Sequence, residues 1–128
     1  MSSKGEYISE QHQENKQWAA NLAFYKDELQ VLRNRLGEIS AKNSATEIKM
    51  QVSHFENQCI INAEQIDELS HAVKESEAKI LKSVEMNPVA TDHRKIEDHS
   101  ELREKVATFE EMFKTLRTEA NEFFAKVM

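Results

Sequence analysis

Residues 8–48 read ISEQHQENKQWAANLAFYKDELQVLRNRLGEISAKNSATEI, and the spacing of their apolar members decides the fold. Ile8, Trp18, Leu22, Tyr25, Leu29, Leu32, Leu36 and Ile39, with Gln11 and Asn15 in the same series, step by alternating threes and fours. Side chains so spaced share one face of an α-helix. The stripe covers about 35 residues, on the order of 50 Å at 1.5 Å per residue, and predicts one long helix over residues 6–42. Gly37 lies near its end, where a glycine costs only about 1 kcal/mol against alanine. The segment Asn43-Ser44-Ala45-Thr46-Glu47 then predicts a tight turn, with Ser44 capping the next helix and Glu47 returning a bond to the cap amide.

The same stepping resumes beyond the turn. Ile48, Val52, Phe55, Cys59, Asn62, Ile66, Leu69, Val73, Ser76 and Ile80 predict a second helix over 44–86, and Ile60 and Ile61 widen its stripe in the middle. Pro88 lacks an amide hydrogen and disfavours α geometry at Asn87, so the chain breaks there. Leu102, Val106, Phe109, Phe113, Leu116, Ala120, Phe123 and Val127 mark a third helix, placed at 92–127 with Ile96 and His99 as its earliest turn. Glu75–Lys79, Glu101–Lys105, Glu110–Lys114 and Glu122–Lys126 are i,i+4 pairs in the favoured order. Two short connections between long helices predict an all-α, up-down-up bundle of three antiparallel helices with coiled-coil-like packing, in a single domain over 1–128.

Composition excludes most alternatives. Two Gly and one Pro in 128 residues leave too little turn material for a sandwich, a barrel or a Rossmann unit. Leu, Ile, Val and Phe make up about 23% of the chain, just above the roughly 20% below which disorder is expected. The longest apolar run, Leu22 to Tyr25, is far short of the about 20 residues that a membrane-spanning helix needs. Residues 1–6 lack the apolar core of a secretory signal, and with the lone Cys59 this gives a cytoplasmic expectation. The 17 Lys and Arg against 23 Asp and Glu, a net charge of −6, argue against nucleic-acid binding. No polar face is rich enough in Lys or Arg to favour a membrane surface.

A helix-rich layout with Trp18 in the first helix is similar in outline to a spectrin repeat. More of the chain is covered by another resemblance, carried by His12-Gln13-Glu14-Asn15-Lys16-Gln17-Trp18, by Phe24-Tyr25-Lys26-Asp27-Glu28-Leu29, and by Asn87-Pro88-Val89-Ala90-Thr91-Asp92-His93 with Glu97-Asp98-His99. These strings resemble a group of small, uncharacterised bacterial all-α proteins. The resemblance implies a helical fold and brings no activity, cofactor or site residue.

The histidines are the feature that rises above a plain bundle. With the first turn centred near residue 43, residues whose numbers sum to about 86 face each other, so His71 is expected opposite Asn15 and one turn from His12. Glu68-x-x-His71 has the i,i+3 spacing of di-iron bundles, while His71-x-x-x-Glu75 and His93-x-x-x-Glu97 place two side chains on one helical face. Imidazole and carboxylate together suit zinc, iron or manganese, so His12, Glu68, His71 and Glu75 form a candidate metal set at one end of the bundle. The competing reading makes the same polar residues structural. Gln11, Asn15 and Ser76 then fix the register of the helices, and Asp98 with Glu101 starts the third one as a capping box.

Cys59, on the inward stripe, reads as a small apolar residue rather than a nucleophile. Trp18 and Tyr25 read as core, and His54 as a surface or interface residue. Apolar residues beside the stripes, Phe24, Val31, Ile60, Ile61, Met112 and Phe124, predict a second interface and hence a homodimer. The function expected from the sequence is therefore a non-enzymatic scaffold or protein-interaction module that needs no cofactor and works through self-association or a docked partner helix. The alternative is a metal-binding bundle.

Overall fold

The structure, a computed structural model, describes residues 6–87, 95–96 and 98–127. Three long helices form an up-down-up bundle: α1 (Ile8–Lys42), α2 (Thr46–Met86) and α3 (Ser100–Val127). Two short strands, β1 (Glu6–Tyr7) and β2 (Lys95–Ile96), pair antiparallel, with Glu6 opposite Ile96 and Tyr7 opposite Lys95. The predicted stripes are the core. Leu22, Leu36, Cys59, Ile66, Phe109 and Phe113 are among its most deeply buried members, and Phe124, which the spacing left beside the stripe, is buried as well.

Cross-helix bonds define the packing directions. The Lys26 ammonium meets Asp67, and the Asn15 amide donates to Ser76, so residue numbers fall on α2 as they rise on α1. Between α1 and α3 the offset is constant instead. Arg103 pairs with Glu14 and Arg117 with Glu28, both 89 residues apart, as parallel helices require. The two ion pairs recur after two heptads, the repeat that keeps one helix face turned toward a neighbour. Between them the Tyr25 phenol donates to Glu110 at 2.8 Å, its ring 4.8 Å from that of Phe113.

Helix ends depart from the sequence reading. Helix α1 begins at Ile8 rather than residue 6, because Glu6 and Tyr7 are drawn into the strand pair. Helix α2 begins at Thr46, with extended Ala45 in the N-cap position and no side-chain cap. Ser44 therefore lies one residue outside the place where its hydroxyl would cap. The turn is held differently: Asn43 donates its amide to the Ile39 carbonyl at 2.8 Å, and Lys49 its ammonium to the Ser40 carbonyl at 2.9 Å. Asn87 leaves the α region at the residue before Pro88, which itself lies outside the described residues.

Helix α3 begins at Ser100 rather than near residue 92. Lys95 and Ile96 are extended, and Asp98 accepts from both the backbone amide and the hydroxyl of Ser100, at 3.3 and 3.0 Å. A carboxylate so placed satisfies an amide that the first turn cannot, and it complements the positive end of the helix dipole. Of the predicted Glu–Lys pairs, Glu101–Lys105 closes at 3.8 Å, whereas Glu75 meets His71 and Glu110 takes the Tyr25 phenol.

Candidate functional site

The polar end of the bundle is a connected network. His99, at the entry to α3, is 90% enclosed and lies between the other two helices. Its Nε2 is 2.8 Å from Glu14 on α1, its Nδ1 is 3.1 Å from the Ser76 hydroxyl on α2, and its ring sits 5.0 Å from Trp18. Arg103, one turn along α3, donates from Nε and one terminal nitrogen to the two Glu14 oxygens at 2.7 and 2.8 Å. A second branch passes through Asn15, whose amide donates to Ser76 at 3.2 Å and to Glu77 at 3.1 Å. Glu77 ends the branch on His12, at 2.6 Å from Nδ1.

The Arg103 guanidinium beside Glu14 holds its carboxyl below the ordinary carboxylate range; His99 adds to this, and partial burial opposes it. A forked, charge-assisted pair of this kind is among the stronger hydrogen-bonding arrangements available to side chains. Nearer the middle of the bundle, burial and the neighbouring Glu110 push the Tyr25 phenol up to about 12. Burial likewise pushes the Cys59 thiol up to about 11, which keeps it protonated and unreactive.

Ser76, His99 and Glu14 stand in the order of a hydroxyl, an imidazole and a carboxylate. Nucleophilic catalysis needs more than that order. Ser76 lies well inside α2, where backbone amides are consumed by the helix ladder and none turns toward an oxyanion beside the hydroxyl. Its oxygen is also held by Asn15, and the Glu14 charge is matched by Arg103. The arrangement ties three helices together.

The metal set expected from the sequence is not assembled. His12 meets Glu77; His71 is exposed and contacts Glu75 at 3.5 Å; Glu68 lines a groove between α2 and α3. The reason is register: the observed α1–α2 partners sum to between 89 and 93 rather than about 86, which brings Glu77 to the place expected for His71. Among the described residues no three His, Cys, Asp or Glu side chains converge as a metal site requires. His93 and Glu97 lie outside the described residues. The sequence reading did not single out Glu14, Glu77 or Arg103. The recurrence of Glu and Arg at positions 14 and 28, 103 and 117 was the available signal for two of them.

Outside the network, large apolar side chains meet solvent. Ile60 and Ile61 are 45% and 44% exposed in the middle of α2, within a stretch from Met50 to Ala63 whose one fully charged residue is Glu56. Phe24 and Val31 are exposed on α1, and Met112 is exposed on α3. Among the described residues no helix is long and apolar enough to cross a membrane. No protein-family model, curated protein or solved structure matches the chain.

Proposed function

We propose that this chain is a non-enzymatic protein-interaction module that self-associates through the middle of α2. The observation that supports this reading is the exposure of Ile60 and Ile61 side by side in a nearly uncharged stretch. Nearly half of each of these β-branched residues stays in water, apolar area that further burial would stabilise at about 25 cal/mol per Å². The titratable groups at the polar end are occupied in holding α1, α2 and α3 together, so the interaction falls to the apolar surface.

Light scattering on purified protein tests the reading. The wild-type chain scatters as a species of twice its 14.8 kDa mass at micromolar concentration, and Ile60→Glu/Ile61→Glu returns it to the monomer with its helical circular dichroism intact. A wild-type monomer throughout that range removes the proposal.

A further inference from the structure

The α2–α3 side of the bundle carries a second, chemically different surface. Two open depressions that share Thr108 and Met112 form a groove along α3 from Glu101 to Glu119, about 27 Å at 1.5 Å per residue; the first lies between α2 and α3, and the second meets α2 at Gln58. Its floor is apolar: Leu69, Phe109 and Leu116 form the base, and Met112, 39% exposed, projects between Thr108 and Thr115. That length suits the side-chain ridge of one additional helix.

The rim is predominantly acidic. Glu68 on α2 and Glu104, Glu111 and Glu119 on α3 border the groove, and among the described residues none of their carboxylates forms an ion pair. Lys105 is the one basic side chain among those lining it, and it lies 3.8 Å from Glu101. Four unmatched acids around an apolar trough repel one another and lower the barrier to a ligand of opposite charge. Nucleic acid and anionic lipid carry the wrong sign. A second copy seated symmetrically, groove on groove, would set these acids against themselves.

We infer that the α2–α3 groove docks a basic amphipathic helix from another protein, its apolar row seated on Met112, Phe109 and Leu69 and its Lys or Arg residues on Glu68, Glu104, Glu111 and Glu119. The inference rests on the reading of the chain as an interaction module; Ile61, on the same face of α2 as Gln58 and Gln65, borders the groove, whereas Ile60 lies on the flank turned away from it. It is the helix-in-groove mode of recognition, in which apolar anchors supply affinity and the charged rim supplies selectivity.

The test uses the full chain and two fluorescent amphipathic helices of about 18 residues, one of Leu and Lys and one of Leu and Glu, followed by anisotropy. The Leu/Lys helix binds and the Leu/Glu helix does not. Glu104→Lys/Glu111→Lys weakens the Leu/Lys complex roughly tenfold or more, while Glu38→Lys/Glu47→Lys, an equal charge change on exposed residues elsewhere, weakens it less than about threefold. Met112→Asp weakens it about fivefold or more without loss of helicity. Equal weakening by the two charge reversals, or no Leu/Lys binding at about 100 μM, overturns the inference. Ile60→Glu, on the flank of α2 turned away from the groove, leaves peptide binding intact while it disrupts self-association, so loss of self-association and loss of helix docking are read separately.

Discussion

Replacing Glu14 by glutamine tests whether the polar network clasps the bundle. The wild-type carboxylate accepts two hydrogen bonds from Arg103 and stands 2.8 Å from His99 Nε2; the amide keeps the shape, one acceptor oxygen and no charge. Hydrogen bonds to charged groups contribute about 1.5–3 kcal/mol each in favourable settings. The Glu14 and Arg103 side chains are 30% and 39% exposed, so water recovers part of what is lost, and the net destabilisation is about 1–2 kcal/mol. In a chain of this size that corresponds to a melting temperature lower by roughly 4–7 °C.

The pH dependence gives the sharper signature. Because the folded protein holds the Glu14 carboxyl below the usual 4.5, the contribution is fully present above that value and is lost as pH falls through the depressed one. The protonated Glu14 carboxyl and the neutral amide of E14Q then carry the same charge, so the gap between wild type and variant closes in acid. Urea unfolding followed by circular dichroism, from neutral pH downward, measures the gap directly. No gap at neutral pH, or one that stays constant while wild-type stability falls through the acid range, refutes the clasp.

Three further outcomes follow from the packing. Gly37 sits exposed within α1 with nothing within 4 Å of where a Cβ would lie, so Gly37→Ala raises the unfolding free energy by about 0.5–1 kcal/mol in the same urea assay. Phe113 is 1% exposed and packs against Phe109 and Tyr25, so Phe113→Ala costs about 3–5 kcal/mol, read from the shift of the urea midpoint. Cys59, buried and with its thiol raised to about 11, reacts with a disulfide reagent on the order of a hundredfold more slowly in native buffer than in denaturant.

The helices were legible because the three-and-four stepping is a local property of the sequence, and each predicted stripe is buried almost residue for residue. Their ends were less so. Ser44 and Glu47 have the right types for a capping box, yet Ala45 takes the N-cap place, and the turn is fixed by Asn43 and Lys49 reaching back to α1 carbonyls. The start of α3 depends on a strand pair between residues about ninety apart, which no local pattern encodes. The site failed by register. Moving the centre of the first turn by two to three residues moves the facing partner on α2 by about five, more than one helical turn, and that exchanges His71 for Ser76 and Glu77 opposite Asn15. The inward placement of Asn15 and Ser76 was visible in the stripe; the carboxylate and guanidinium that complete their network lie at its edges, where spacing alone does not separate a clasp from a solvated face.

That register is what separates a structural clasp from a gathered set of metal ligands, and cysteine cross-linking measures it. In a Cys59→Ala background, His12→Cys/Glu77→Cys and His12→Cys/His71→Cys are each treated with a short bismaleimide of about 8 Å reach, and intrachain cross-linking is followed by mass spectrometry. Residues 71 and 77 are six apart, about 9 Å along α2. The observed register predicts rapid closure of the 12–77 pair and at least roughly tenfold slower closure of the 12–71 pair; closure of 12–71 as fast as that of 12–77 contradicts it and restores the register in which His71 faces Asn15, one turn from His12.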